Sequence, residues 1–337
     1  MKKIYGFDSL RQQFIDNFTA NRLHHCSMIV GVRGIGKMQF LLDIASVILS
    51  KKDDKFSINE NEIESTRKLV DGGAHTDLTI LDLNTLDDSG KENTSKKAEI
   101  NIKQVRNVID GIKLTPSISK YKVLIVDSID NVNVNGQNAL LKTLEEPTKN
   151  TYIFLVCHNV NKVINTIISR SNVVFAPDLK IEDWGQAMAD VLENEDIEFD
   201  YDIQTLYDIS DHSVGKALDM IKYKALELYN NIIGALCDNN LNLNRIQKIC
   251  DYSNSNETFY IFSTLVGKLF ENIMKFYRTG DEDIFVENTD LIREFLKKNT
   301  ISDVIDRYNN LKKVMNEVNS YSLDKKQAVN VILTNYR

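Results

Sequence analysis

The amino-acid sequence predicts an α/β domain built on a parallel sheet, followed by a second half that is entirely helical. Up to about residue 177, short runs rich in β-branched and aromatic residues alternate with amphipathic helical segments, which is typical of a parallel sheet covered by helices. After Pro177 the strand signals stop, and apolar residues recur at helical spacing. One such stripe, which indicates a helix face in a core or an interface, consists of Phe259, Phe262, Leu265, Leu269 and Ile273.

The strands and helices of the first half are predicted from residue type and from the residues that end each element. The predicted strands are Ser27–Val30, Leu78–Leu83, Val123–Val126, Tyr152–Val156 and Val173–Phe175. The predicted helices are Lys37–Leu49, Ile102–Leu114 and Asn138–Glu146. Pro147 ends the last of these helices, because proline cannot continue a helix.

This pattern predicts three domains along the chain. They are an α/β domain at residues 1–177, a small helical lid at 178–225 and a C-terminal helical domain at 226–337. The polar segment at residues 84–97 has little apolar content, so we expect a mobile surface loop there.

The composition indicates a globular protein without a membrane span. Hydrophobic residues make up 42% of the 337 residues and charged residues 26%. We see no secretory signal at the N-terminus, and apolar runs such as Tyr152–Cys157 are too short to cross a bilayer, so we expect a cytoplasmic protein. The net charge of -7 argues against binding nucleic acid by broad electrostatic attraction, so any DNA contact should be local or shared with partners.

A glycine-rich loop follows the first predicted strand. Its sequence, Gly31-Val-Arg-Gly34-Ile-Gly36-Lys37, fits the GxxxxGK pattern and leads into a predicted helix, as a phosphate-binding loop does. The glycines let backbone N–H groups curl around phosphates, and Lys37 would reach the terminal ones. The next residue, where a Ser or Thr hydroxyl coordinates Mg²⁺, is Met38, a thioether without affinity for a hard cation. Whether ATP or ADP binds here, weakly or without turnover, stays open.

The end of a later predicted strand also departs from the pattern of an active ATPase. The apolar strand that begins at Lys122 ends in Asp127, which could hold Mg²⁺ through water. The next residue, where a carboxylate would orient the attacking water, is Ser128, and a hydroxyl cannot replace a carboxylate as a general base at neutral pH. Asp130 is an alternative acid whose direction the sequence leaves open.

Two further motifs resemble a known family. The segment Asn138-Ala-Leu-Leu-Lys-Thr-Leu-Glu-Glu-Pro147, followed by Ser169-Arg170-Ser171, resembles the NALLKxLEEP and SRC motifs of bacterial clamp-loader subunits, with Ser171 in place of the family's Cys. Shorter similarities are found at Tyr5-Gly6, His24-His25-Cys26 and Gly73-Ala-His-Thr-Asp-Leu78. The resemblance covers residues 1 to about 220. It implies an AAA+ P-loop NTPase-like domain, a small helical lid and an all-α C-terminal collar that joins the subunits.

Within that family, motor subunits hydrolyse ATP, whereas delta-prime subunits have lost some of the required residues and act as a rigid stator. Met38 and Ser128 fit the delta-prime pattern, as does Gly215, which stands where the sensor-2 helix of a motor places an arginine. The adjacent Lys216 would point about 100 degrees around the helix. By resemblance, Arg170 is an arginine finger for ATP in a neighbouring motor subunit, because its planar guanidinium can bridge phosphate oxygens. Ser169 would hold the local loop conformation.

The resemblance thus implies a delta-prime-like subunit of the DNA polymerase III clamp loader, acting in DNA replication and catalysing nothing by itself. Its implied partners are the gamma/tau and delta subunits, the sliding clamp, and primer-template DNA reached through the hetero-oligomer. The alternative is a catalytically active gamma/tau-like motor, which predicts Ser or Thr at position 38, Glu at 128 and Arg at 215. A module that holds ADP or ATP through Lys37 without turnover also stays open. A free-standing DNA-binding protein should carry a basic or aromatic-interleaved stripe, and we find none in the sequence.

The cysteines give no sign of a metal site. Cys26, Cys157, Cys237 and Cys250 form no paired motif, and we expect buried free thiols. Clamp-loader subunits commonly carry a four-cysteine zinc module before the strand that ends in the acid, but residues 38–126 contain no Cys. With only His75 available, we expect no zinc.

Overall fold

The protein is described by a computed structural model that covers residues 4–52, 59–86, 99–195, 203–237, 242–285, 288–321 and 323–335. The chain divides into two compact units. The first comprises Met1–Glu195 with His212–Gly215, and the second comprises Asp196–Asp211 with Lys216–Arg337. The finer division into three domains, with a lid at 178–225, stays a prediction.

The first unit is built on a five-stranded parallel sheet. The strands are β1 (Cys26–Val30), β2 (Leu78–Leu81), β3 (Lys122–Asp127), β4 (Thr151–Cys157) and β5 (Asn172–Phe175). Their order across the sheet is β2-β3-β4-β1-β5. In the register of the sheet, Val30 lies beside Cys157 and Asp127 beside Val156. The carboxyl ends of β1, β3 and β4 therefore meet at one edge, which is where open α/β sheets bind ligands.

Helices cover both faces of this sheet. The helices of the first unit are α1 (Asp8–Thr19), α2 (Lys37–Leu49), α3 (Glu60–Asp71), α4 (Ile102–Ile112), α5 (Val134–Glu145), α6 (Asn165–Ile168) and α7 (Ile181–Glu195). Helix α2 has the predicted bounds. Helix α5 begins four residues before the predicted start, because the side chain of Asn133 accepts a hydrogen bond from the Gly136 N–H and caps the helix there. The sequence analysis predicts neither α1 nor α3.

Alternate strand residues build a separate apolar core on each face of the sheet. On one face, Ile125 and its neighbours pack with α1 and α2, including the fully buried Phe40. On the other face, Val126 packs with Val105 of α4 and Leu140 of α5. The α/β fold predicted from the alternation of strands and helices is confirmed.

The second unit is helical throughout the part that the structure describes. Its elements are α8 (Ile203–Ile209), α9 (Val214–Lys222, whose first two residues belong to the first unit), α10 (Ala225–Cys237), α11 (Leu243–Tyr252), α12 (Asn256–Thr279), α13 (Thr289–Lys298), α14 (Ile301–Tyr321) and α15 (Lys325–Asn335). Helix α12 packs against α10 and α14, and α11 packs against α15. The five apolar residues of the predicted stripe are all buried on α12.

Two further predictions can be compared with the structure, and a third falls mostly outside the described residues. All four cysteines are buried and free, as expected. From residue 87 onward, the predicted loop at 84–97 lies outside the described residues. Among the helices that are described, none combines the length and the apolar character that crossing a membrane requires.

Candidate phosphate loop and arginine site

The glycine-rich loop connects β1 to α2 at the carboxyl edge of the sheet. Gly34 has a φ of 85° and Gly36 a φ of 96°, backbone angles that residues other than glycine rarely adopt. Gly36 is the N-cap of α2, so its left-handed conformation starts the helix. At Gly31 an added Cβ would lie 2.9 Å from the Cβ of Ala176. The glycines predicted to bind a cofactor are thus required by the backbone path of the loop itself.

Lys37 is turned into this loop and has internal partners. Its Nζ donates to the carbonyl oxygens of Gly31, at 2.7 Å, and Val32, at 2.6 Å, and the residue is only 3% exposed. Burial lowers the pKa of Lys37 to about 8, although the carboxylates of Asp127 and Asp130 act in the opposite direction. The ammonium of Lys37, which a P-loop uses to contact phosphate, is therefore bound to carbonyl oxygens of its own loop.

Met38 packs against the apolar core cluster that contains Phe40 and Leu41. Its side chain is half-buried. The position that supplies a Mg²⁺-binding hydroxyl in active P-loop enzymes is therefore filled by a thioether in apolar surroundings. The residues present here do not fit a resident Mg²⁺ ion.

The end of β3 carries one acid in a desolvated position. Burial raises the pKa of Asp127, and the positive charges of His158, when protonated, and Lys37 counteract this rise. The neighbouring Ser128 is 1% exposed, and no described group hydrogen-bonds to its Oγ. A buried hydroxyl with no contact to a base cannot activate water.

Asp130, the alternative acid, is committed to a structural contact. Its Oδ1 accepts a hydrogen bond of 2.9 Å from the backbone N–H of His158 and lies 3.5 Å from the Nδ1 of the same residue. Burial acts to raise the pKa of Asp130, but the hydrogen bonds and charge of His158 outweigh burial and lower the pKa to about 2. Asp130 therefore joins the ends of β3 and β4.

The predicted sensor-2 position lies directly on the glycine-rich loop. The backbone N–H of Gly215 donates to the carbonyl oxygen of Gly34 at 2.9 Å, and the Oγ of Ser213 donates to the carbonyl of Arg33 at 2.7 Å. A Cβ at Gly215 would lie 2.8 Å from the Cα of Gly34, which is closer than real Cβ contacts. This close approach explains why a glycine occupies the position, and it leaves no space there for an arginine side chain.

The neighbouring cation, Lys216, is engaged within the second unit. Its Nζ lies 2.7 Å from the carboxylate of Asp211, which also accepts a hydrogen bond of 3.0 Å from Lys268. Burial acts to raise the pKa of Asp211, but these two ammonium groups lower it overall. Lys216 thus has a structural partner, Asp211, in the second unit.

Arg170 lies at the surface, in the turn that follows α6. Its side chain is 37% exposed and forms an ion pair with Glu145, the last residue of α5. The distances from Nε and Nη2 to the same oxygen, Oε1, are 2.7 Å and 2.6 Å. Nη1 donates to the carbonyl of Thr166 at 3.0 Å and lies 3.4 Å from the Oγ of Ser169. All three guanidinium nitrogens therefore have partners, while the side chain as a whole remains partly exposed.

Short motifs that are distant in sequence support this turn. The Nε2 of His25 lies 2.9 Å from the carbonyl oxygen of Leu144, next to Glu145. The Sγ of Cys26 lies 3.3 Å from the Oγ of Ser171. Segments that resemble HHC, LEEP and SRC thus meet around Arg170. The hydroxyl of Ser169 donates to the carbonyl of Thr166, as expected of a residue that holds the turn.

His75 has a structural environment. It is buried, and its Nδ1 accepts a hydrogen bond of 3.2 Å from the backbone N–H of Asp77, which fixes a neutral ring nitrogen there. Burial also lowers the pKa of His75. Within the described ranges, no group of three or more His, Cys, Asp or Glu side chains is arranged to hold a metal ion.

The structure brings all six predicted cofactor-binding residues to one edge of the sheet. Gly31, Gly34 and Gly36 lie on the loop after β1, Lys37 and Met38 are the first two residues of α2, and Asp127 ends β3. Arg170 belongs to a different surface, where α5 and α6 end. The sequence analysis does not anticipate the contacts made by Ser213, His158 and Glu145, because no spacing rule links residues so far apart in the chain.

The fold and the loop define a class of protein. A five-stranded parallel sheet in this order, with a GxxxxGK loop after β1 and an acid at the end of β3, is a P-loop fold of the AAA+ type. The family model described as "DNA polymerase III, delta subunit" matches residues 7–179, which is just over half of the 337 residues. The chain therefore belongs to this family of clamp-loader AAA+ proteins.

Individual relatives differ in how much of the chain they match. A DNA polymerase III subunit gamma from Buchnera aphidicola subsp. Baizongia pistaciae is 24% identical over 83% of this chain and 71% of its own length. A DNA polymerase III subunit delta' from Pseudomonas aeruginosa is 28% identical over 43% of this chain and 41% of its own length. A solved structure of a DNA polymerase III gamma subunit-related protein from Thermotoga maritima aligns with 96% of this chain and 98% of that chain, at 15% identity and a TM-score of 0.45.

Proposed function

We propose that this chain is a delta-prime-like stator of the bacterial DNA polymerase III clamp loader, which hydrolyses no ATP itself and supplies Arg170 as an arginine finger to a neighbouring motor subunit. The observation that carries the proposal is the contrast between the two cations of the phosphate motifs. Lys37 is buried against its own loop, whereas Arg170 is accessible at the surface. A guanidinium at the edge of one subunit can neutralise transition-state charge in another.

Four features near the glycine-rich loop support the absence of turnover in this chain. Met38 packs against the core, Ser128 is buried with no hydrogen-bond partner for its Oγ, Asp130 is bound to His158, and Gly215 lies against Gly34. An active motor would need a magnesium ligand, a general base and a lid cation at these positions. Any ATP or ADP bound here would be held weakly or without turnover, and no zinc is required.

The proposed partners follow from the family. They are the gamma/tau and delta subunits of a hetero-oligomer, the sliding clamp, and primer-template DNA contacted through the assembly. The C-terminal helices would form a collar with neighbouring subunits. The acidic net charge of -7 supports shared DNA contacts in place of an independent DNA-binding surface.

A second candidate is a gamma/tau-like motor subunit. It is favoured by the extent of the similarity to proteins named gamma, which covers up to 83% of this chain. The residues at positions 38, 128 and 215 oppose it, because a motor would have to hydrolyse ATP with Met, Ser and Gly there.

Steady-state ATP turnover tests the proposal. The cognate motor subunits are assembled with this chain, clamp and primed DNA, and the wild type is compared with Arg170→Ala and Lys37→Ala. We expect Arg170→Ala to lower turnover at least about tenfold, since donated arginines contribute about 10³-fold or more in related enzymes. Lys37→Ala should leave turnover nearly unchanged. If the isolated chain hydrolyses ATP and Lys37→Ala abolishes that activity, the chain is a motor.

A further inference from the structure

Glu145 is the one carboxylate that the structure places in contact with the guanidinium of Arg170 among the residues it describes. We propose that Glu145 is a positioning residue, which holds Arg170 in the orientation needed to reach ATP in a neighbouring subunit. This inference rests on the proposed function, because it assigns a role to Glu145 only if Arg170 acts in trans.

The contacts of Arg170 lie mainly along one edge of the guanidinium. The single oxygen Oε1 of Glu145 accepts a hydrogen bond from Nε and lies 2.6 Å from Nη2, and the carbonyl of Thr166 accepts from Nη1. A guanidinium has five N–H groups in a fixed fork. Fixing Nε and Nη2 from the side therefore sets the plane of the fork and leaves N–H capacity on Nη2 for a phosphate oxygen.

An arginine needs such a partner because its long side chain has many rotamers. Holding a catalytic group in a productive geometry contributes to rate, and a small misplacement is costly. The backbone at the base of Arg170 is already fixed, since its N–H donates to the carbonyl of Ile167 at 3.1 Å. The far end of the side chain is held by Glu145 and by the carbonyl of Thr166, and the Oγ of Ser169 lies farther away, at 3.4 Å. Among these partners, Glu145 makes the shortest contact through a side chain that substitution can remove.

Glu145 is itself placed by the end of helix α5. It is the last helical residue, and the carbonyl of the preceding Leu144 lies 2.9 Å from the Nε2 of His25. The next residue, Glu146, is also an exposed carboxylate at the same helix end. Glu146 therefore provides a matched control for the loss of one negative charge at this surface.

Two other roles for Glu145 predict different effects on ATP turnover: a surface ion pair without function, and a carboxylate that only reduces the positive charge of Arg170. If the carboxylate only dampened the positive charge of Arg170, both Glu145→Ala and Glu145→Gln would raise turnover. If the pair had no functional part, neither variant would change turnover. If Glu145 orients the guanidinium through its acceptor oxygen, Glu145→Gln keeps that oxygen and Glu145→Ala removes it.

The test uses the assembled loader with clamp and primed DNA and measures kcat and KM for ATP. We expect Glu145→Ala to lower kcat about threefold to tenfold with little change in KM, because the arginine is misplaced only as charge develops. Glu145→Gln should recover to within about twofold of the wild type, because glutamine keeps an acceptor oxygen. The control Glu146→Ala should also stay within about twofold of the wild type, because the ion pair with Arg170 is made by Glu145. In the Arg170→Ala background, Glu145→Ala should have no further effect, since the pair acts as a unit.

Failure of the inference can be told apart from failure of the proposed function. If Arg170→Ala lowers turnover and Glu145→Ala does not, or if Glu145→Gln is as impaired as Glu145→Ala, positioning by Glu145 is overturned and the arginine finger stands. If Arg170→Ala leaves turnover unchanged, the arginine finger itself is wrong and the inference falls with it. Sedimentation of each variant with the other subunits verifies that assembly is intact.

Discussion

Lys37 and Arg170, the two cations that sequence motifs assign to phosphate, have opposite surroundings in this protein. Lys37 is 3% exposed and donates to two carbonyl oxygens of its own loop. The side chain of Arg170 is 37% exposed, and its main partner, Glu145, is itself 47% exposed. Breaking the first set of contacts leaves the buried ammonium of Lys37 without a partner, whereas the second can rearrange in water at little cost.

This difference shows that a phosphate motif and a usable phosphate site are separate properties. The GxxxxGK pattern fixes the backbone path of a loop, but the partners of each cation decide what that cation can bind. In the glycine-rich loop, the four carbonyl oxygens of residues 31–34 accept internal hydrogen bonds, and Gly215 packs on Gly34. Around Arg170 the contacts are at the surface. We therefore expect substitutions near Lys37 to change mainly stability, and substitutions near Arg170 to change mainly turnover in the assembly.

The largest stability effect is expected from Gly215→Arg, which introduces the arginine of a motor subunit. A Cβ at this position would meet the Cα of Gly34 at 2.8 Å, so the backbone contact must open. Overpacking of this kind costs about 3 kcal/mol. Equilibrium denaturation with urea should show this loss, and isothermal titration should show no gain of ATP binding.

Gly267→Ala is the control for Gly215→Arg. Gly267 lies inside helix α12, and an added Cβ would meet nothing within 4 Å. Replacing a helical glycine by alanine without a clash stabilises by about 0.5–1 kcal/mol. A Gly215→Arg variant as stable as the wild type, or one that binds ATP, would mean that the contact between Gly215 and Gly34 does not exclude an arginine from this position.

The second prediction concerns the pH dependence of stability at Lys37. Its folded pKa, about 8, lies below that of a lysine in the unfolded chain, because burial disfavours the charge. The unfolded chain therefore binds more protons between these two values, and this residue makes stability rise with pH in that window. The free energy of unfolding of the wild type, relative to Lys37→Met, should increase by about 2 kcal/mol from about pH 7 to about pH 10.

Parallel denaturation curves of the wild type and Lys37→Met measure this difference. Taking the difference cancels the titration of tyrosines and cysteines, whose raised pKa values give the opposite slope. A difference that stays constant across the pH range would mean that Lys37 is solvated in the folded chain.

The five strands and the sheet-and-helix order of the first unit could be predicted because their residues carry strong local signals. Runs of Val, Ile, Leu and Phe bounded by polar residues mark β1, β3 and β4 as buried strands. Helices α1 and α3 are less apparent, since DSLRQQFIDNFT and ENEIESTRKLVD are mostly polar and bury only three residues each. Their position is set by tertiary packing against α2, which no local pattern encodes.

The candidate site could be predicted as a set of residue types but not as a set of contacts. The absence of Ser or Thr at position 38 and of an acid at 128 is readable from the motif. The reason for Gly215 is a backbone approach to Gly34, which lies far away in the sequence. Likewise, the direction of Asp130 depends on His158 at the end of a different strand. Such partners follow from sheet order and register, not from local sequence.

The third prediction tests Asp130 as a structural acid. Its folded pKa, about 2, lies below the ordinary value, because bonds from His158 outweigh burial. A carboxyl group with a lowered folded pKa contributes stability above its unfolded pKa and loses that contribution as the pH falls through the folded value. Asp130→Asn should therefore lower the free energy of unfolding by about 1–2 kcal/mol near neutral pH. That deficit should shrink as the pH falls from about 5 toward about 2, as measured by denaturant titration. A deficit that is independent of pH would mean that the charge of Asp130 is not involved.

The smallest stability effect is expected at the arginine surface. Arg170→Ala and Glu145→Ala should each change the free energy of unfolding by less than about 0.5 kcal/mol, because exposed ion pairs contribute little. Raising the salt concentration should reduce even this difference, since surface charges are screened. The same two substitutions are expected to lower turnover of the assembled loader. A stability loss of about 2 kcal/mol or more in either variant would be typical of a buried charge that has lost its partner, and would mean that Arg170 is a structural residue, so that the contrast with Lys37 does not hold.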